Sequence, residues 1–134
     1  MDSCVYLDYF CSRQNKAGKD LSEPAKRFFA KVLSKKHQVI ISDWVIDELD
    51  YTNIFKEDSI LICSLKKNKQ ILSCGYSEEE VTLAKQISVK YYKDVLHVLL
   101  AEKMQADVII TRNTPHFYPI SKKIKVLIPE HFVC

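Results

Sequence analysis

The chain has no apolar run approaching the ~20 residues that cross a bilayer, so a membrane-spanning helix is not expected. Met1-Asp2-Ser3-Cys4 lacks the basic start and apolar core of a secretory signal, and a cytoplasmic protein is the expectation. The five cysteines, Cys4, Cys11, Cys63, Cys74 and Cys134, form an odd set with no Cys-x-x-Cys pair. That pattern points away from a disulfide framework or a zinc knuckle, and toward thiols acting as small buried hydrophobes. Internal repeats and low-complexity stretches are missing. Glycine occurs only twice; with 47% hydrophobic and 28% charged residues, its scarcity describes a compact, helix-rich protein with disorder confined to the lysine-rich turns.

What is present fits one domain over residues 1–134, long enough to bury roughly two thirds of the surface that its unfolded chain exposes. The net charge of +3 is mild but unevenly spread. Lysines cluster at Lys35-Lys36, Lys66-Lys67-Lys69 and Lys122-Lys123-Lys125, each beside an expected strand or turn. A solvated face is the common reason for any one such cluster. Three together also suit a polyanion.

Three short apolar runs end at polar residues: Cys4-Val5-Tyr6-Leu7 at Asp8, Gln38-Val39-Ile40-Ile41 at Ser42, and Val108-Ile109-Ile110-Thr111 at Arg112-Asn113. Near-continuous hydrophobicity marks strands covered on both faces, as in a parallel sheet, whereas a strand with one wet face alternates. An α/β fold is expected, in which the carboxyl ends of the strands share an edge and ligands bind there. Asp8 and Asn113 then lie at strand ends, and Asp94 opens a helix over 94–105. Glu48 sits roughly 7 to 8 Å into the helix after Ser42 at 1.5 Å per residue, with its side chain free to lean back. Asp107 starts a strand and falls over ~10 Å from that edge.

The expected element order is strand (4–7), a polar loop, helix (22–34), strand (38–41), helix (43–52), helix (56–67), a strand-like run (70–74), helix (77–88), helix (94–105), strand (107–111) and strand (125–128). Pro24 suits the opening of the first helix. Ser77-Glu78-Glu79-Glu80 reads as a capping-box start. In 94–105, Val95, Leu96, Val98, Leu99, Leu100, Ala101 and Met104 surround the helix, which is therefore expected in the domain centre. Asp94 at its mouth serves either as a cap or as a site residue.

Acids gathered at one edge repel unless a cation holds them. Mg²⁺ or Mn²⁺ favours carboxylate oxygens and water, binds phosphate, and lowers the pKa of a bound water. A carboxylate cluster flanked by lysines therefore suits hydrolysis of a phosphodiester.

Tyr6-Leu7-Asp8, Ser42 with Val45 and Glu48-Leu49, the block Lys93-Asp94-Val95-Leu96-His97, and Ala106 through Phe117 with its Thr111-Arg112-Asn113-x-x-His116-Phe117 ending resemble the PIN domain nucleases, including the VapC-like toxins of toxin–antitoxin pairs. The resemblance runs along almost the entire chain. It implies a three-layer α/β/α sandwich with a central, mainly parallel sheet, and a metal-dependent endoribonuclease in which Asp8, Glu48 and Asp94 are the catalytic, metal-binding acids. It also implies Mg²⁺ or Mn²⁺ as cofactor, RNA as substrate, a homodimer, and a small antitoxin as partner. Thr111 matches a hydroxyl position near the metal. Asn113 stands where much of the family has a fourth acid, and offers an uncharged oxygen in its place.

Ser42 is a supporting residue, and Arg112 and His116 sit near enough to that edge to contact phosphate. His37, His97, His116 and His131 share no zinc-like spacing. Two other classes stay open. With only three acids, the chain also reads as a non-catalytic RNA- or protein-binding module. An aspartyl phosphatase would want a second acid two residues after Asp8, where Phe10 stands.

Overall fold

A computed structural model describes residues 5–6, 18, 20–51 and 60–133. Helix α1 (Ser22–Ser34) is followed by strand β1 (Val39–Ser42), helix α2 (Asp43–Tyr51), helix α3 (Ile60–Lys67) and strand β2 (Ile71–Cys74). Helices α4 (Glu78–Ile87) and α5 (Tyr92–Lys103) lead to strand β3 (Val108–Ile110). Helix α6 (Thr114–Phe117), strand β4 (Lys125–Leu127) and helix α7 (Pro129–Val133) complete the order.

The helix starts follow from local chemistry. Asp20 caps the approach to α1 by accepting from the backbone N–H and the hydroxyl of Ser22, at 2.9 and 2.7 Å, and those bonds hold its carboxyl below the ordinary carboxylate range. Ser77 and Glu80 form the reciprocal capping box expected at the start of α4.

Three helices end in the same way. After α1, α3 and α5 the chain turns left-handed at Lys36, Lys69 and Gln105, with φ of 55°, 56° and 55°. The next residue then donates back across the last turn: His37 N to Val32 O at 3.1 Å, Gln70 N to Leu65 O at 2.9 Å, and Ala106 N to Ala101 O at 2.9 Å. This closing pattern usually places glycine at the left-handed position. A chain with two glycines does it with lysine and glutamine, which carry a backbone cost there. Each turn delivers the chain into a strand within three residues.

The strands form two parallel pairs. In one, Val39 opposes Ile71 and Ser42 opposes Cys74; in the other, Val108 opposes Lys125 and Ile110 opposes Leu127. Among the described residues no ladder joins the pairs, so the single sheet expected from the sequence is not formed by them. Side-chain alternation is nevertheless consistent across both. Val39, Ile41, Ile71, Val108, Ile110 and Leu127 turn into one cluster, with Phe28, Phe29 and Val32 of α1. Ile40 and Cys74 turn into a second with α4 and α5, and Ile109 and Val126 into a third with Val98 of α5 and Phe117 of α6. A cavity of about 630 Å³ lies against both pairs, lined by Val39 and Ile40 of β1, Val108 and Ile110 of β3, and His97 and Leu100 of α5.

Several sequence expectations need correction. Val5 and Tyr6, expected in a first strand, are helical and fully buried. An apolar run of four cannot distinguish a buried strand from a buried helical turn by periodicity, and burial alone is what it specifies. Helices α6 and α7 were not foreseen, since four and five residues are too few to show a helical period; each carries a proline in its first turn, where a missing N–H costs nothing. Cys74 is buried, but Cys63 is exposed rather than a buried hydrophobe.

The lysine clusters precede strands. Lys35-Lys36 and Lys66-Lys67-Lys69 stand before the amino ends of β1 and β2, and Lys122-Lys123-Lys125 runs into that of β4. Because each pair is parallel, the clusters lie at the ends opposite Ser42, Thr111 and Asn113. Among the described residues, no helix is long and apolar enough to cross a membrane.

Replacing Lys69, an exposed residue at φ 56°, with glycine is expected to raise stability by about 0.5–1 kcal/mol. A urea unfolding midpoint that falls instead would contradict the left-handed turn. A second expectation concerns Tyr6, whose phenol is pushed far above its ordinary pKa by burial. Because the folded state favours the protonated phenol, its stability contribution is intact below the unfolded pKa near 10 and is lost as pH rises beyond it. Absorbance titration should find at least one tyrosine that ionises only as the chain unfolds.

Candidate functional site

Helix α2 brings Glu48 into the site, and Ser42 sets where that helix begins. The buried Ser42 hydroxyl accepts from the backbone N–H of Val45 at 3.1 Å, capping the first turn. Val45 and Leu49 then fix the rotation of α2 by burying in the first cluster. Glu48, between them and one residue off their line, is left half-buried at the border of that stripe.

Helix α5 supplies two residues. Asp94 lies in its first turn and His97 three residues on, a spacing that stacks them on one side of the helix. The His97 Nε2 is 2.8 Å from Glu48 Oε1, with only 8% of the imidazole side chain exposed. An ionised carboxylate only accepts, so Nε2 carries the hydrogen. The His97 ring also lies 6.1 Å from the buried ring of Phe117.

Helix α6 closes the group. Its His116 Nδ1 stands 3.4 Å from Asp94 Oδ2, an ion-pair distance rather than a tight hydrogen bond. Just upstream, the fully buried Thr111 extends the second ladder by donating its backbone N–H to Leu127 O at 3.0 Å. Its hydroxyl accepts from Asn113 N at 3.0 Å, which shapes the turn into α6. Asn113 is exposed immediately before that helix.

The candidates therefore divide. Glu48 meets His97 of α5, Asp94 lies three residues before His97 on that helix, and His116 of α6 faces Asp94. Ser42 and Thr111 are buried supports of the backbone that carries them. Asp8 lies outside the described residues. Arg112 grips Glu130 through two contacts of 2.7 and 2.6 Å and is mostly covered, so a phosphate contact from it would require that pair to open. Asp107 is exposed just before β3, as its position at the strand start implied.

The sequence showed no zinc-like spacing for His97 and did not connect it with Glu48. The signal available was its spacing from Asp94, which puts both on one helix face. The partner on α2 had no local mark.

The oxygens of Glu48 and Asp94 are hard donors of the kind that Mg²⁺ takes, and one or two carboxylates with water are enough to hold it. Among the described residues, no group of three His, Cys, Asp or Glu side chains is gathered tightly enough to hold an ion by itself. Comparison with known proteins finds no matching family model, no similar curated protein and no similar solved structure.

Ser42→Ala should cost about 1 kcal/mol of stability through loss of the α2 cap. A chemical-denaturation midpoint unchanged by this substitution would contradict the role given to Ser42.

Proposed function

We propose that the protein is a metal-dependent endoribonuclease of the PIN type. The observation that carries this reading is the pairing of both described candidate acids with histidines of the same neighbourhood, Glu48 with His97 and Asp94 with His116. Histidines placed in this way orient the two carboxylates. Glu48, Asp94 and Asp8 are the residues that would hold Mg²⁺ or Mn²⁺, with Asn113 as a neutral fourth ligand. Bound there, the ion supplies charge neutralisation at the phosphate and a lowered pKa for an attacking water.

The histidines give this chain its own part in the chemistry. His97 contacts Glu48 from a nearly closed position, and its ring lies beside that of the buried Phe117. His116 is half exposed and adjacent to Asp94, where its ring is open to an arriving substrate. Thr111 and Ser42 keep the two chain segments in place.

The finer fold belonging to this reading is a three-layer α/β/α sandwich. Support comes from the alternation of β1 and β3 side chains toward α1 on one side and α5 on the other. The partners it carries are RNA, a second copy of the chain in a homodimer, and a small antitoxin, with the cytoplasm as location.

A second reading, a non-catalytic RNA- or protein-binding module, is favoured by Asn113 in place of an acid. The two separate on one assay. Purified protein free of any partner should cleave single-stranded RNA with Mg²⁺ or Mn²⁺, and Asp94→Asn or Glu48→Gln should each lower the rate at least about 100-fold, in the range lost when acid–base or metal-holding groups are removed. Protein that binds RNA but cuts it with neither metal sinks the catalytic reading.

A further inference from the structure

Large apolar and aromatic side chains left in solvent are concentrated in one stretch of the surface. Of the exposed ones among the described residues, Leu83, Ile87, Val89 and Tyr91 fall between the second half of α4 and the start of α5. Tyr91 is the residue from which α5 starts, and its backbone N–H is held by the Ser88 hydroxyl at 3.1 Å. A rigid turn therefore presents this ring three residues ahead of Asp94.

The ring has two neighbours. The His116 imidazole lies with its centroid 5.2 Å from that of Tyr91, tilted by 41°, while its Nδ1 faces Asp94. The Lys90 ammonium stands 5.1 Å from the Tyr91 centroid. His116 thus stands against both Tyr91 and one of the candidate acids, with the Lys90 ammonium over the Tyr91 ring. Packing does not account for them, since none of the three belongs to a core cluster.

We propose that Tyr91 and His116 form a stacking platform for an unpaired RNA base beside Asp94, with Lys90 taking the adjoining phosphate. This deepens the ribonuclease reading and rests on it for the role of Asp94. An exposed cation over a ring is held weakly, and a stacked base gains more from the same face. The base therefore displaces Lys90, and the freed ammonium reaches the backbone. Bases inside a duplex present no face to stack on, so the platform selects single strands, loops or frayed ends. It also explains why the lysine clusters can lie away from the acids: local grip on the substrate comes from rings and one cation, not from a broad basic face.

The test is binding of the full chain, in EDTA, to a fluorescein-labelled single-stranded RNA and to its duplex, read by anisotropy. Tyr91→Ala should weaken single-strand binding about tenfold or more, and Tyr91→Trp should preserve it. Duplex binding should be weaker for the parent chain and unchanged by either substitution. Equal single-strand affinity for parent and Tyr91→Ala would overturn the platform, as would equal losses on single strand and duplex. Failure of the parent to bind RNA, with Tyr91→Ala altering its self-association, would overturn it in favour of a protein contact. Retention of fold by Tyr91→Ala is checked by circular dichroism, and the tryptophan variant carries the test if alanine unfolds the turn. Metal-free binding keeps the two readings apart: Tyr91-dependent binding without cleavage in Mg²⁺ or Mn²⁺ would remove the nuclease and leave the platform.

Discussion

Helix α5 has to satisfy two strand pairs at once. The pairs share no ladder among the described residues, and their common support on this side is the buried surface of that helix. Val95, Leu96 and Leu100 pack in the cluster that includes Cys74 and Ile40, while Val98 packs with Ile109 and Val126. Burying such side chains is worth roughly 1.5–3 kcal/mol each, far more than any surface ion pair in the molecule. The rotation of α5 about its axis is consequently fixed, and with it the directions of Asp94 and His97. Packing that joins the two halves of the fold also points the site residues.

From that constraint the rest of the site follows. His97 is carried by a helix that cannot turn, so Glu48 on α2 meets it at a set distance, and α2 is itself pinned by the Ser42 cap and by Val45 and Leu49. Asp94 meets His116 because the Thr111 and Asn113 turn begins α6 beside it. The lysine clusters stand at the amino ends of their strands, opposite Ser42 and Thr111.

The sequence made the regular elements legible where a period or a cap was long enough to count. Helix α1 agrees with its expected bounds, Ser77 and Glu80 cap α4 as expected, and β1, β2, β3 and β4 fall within about a residue or two of theirs. It failed where only burial was specified. Val5 and Tyr6 had the hydrophobicity of a strand and are helical, because four apolar residues encode an inside position but no backbone geometry. The site was legible residue by residue and not as contacts. Glu48 and Asp94 could be picked out as acids near helix starts, but the Glu48–His97 pair joins positions 49 apart and depends on how α2 and α5 cross. Arg112 looked free for phosphate because Glu130, its partner, sits on a helix too short to show a period.

The central proposal is that Glu48 and Asp94, each beside a histidine, would hold a divalent ion together with Asp8. Mn²⁺ titrated into the 134-residue chain, followed by imidazole nitrogen NMR, tests it directly because bound Mn²⁺ broadens only nearby nuclei. The account predicts that His97 and His116 broaden together at low metal, that His37 and His131 stay sharp, and that Asp94→Asn abolishes the effect. Broadening that spares His97 and His116, or that reaches one without the other, would contradict it.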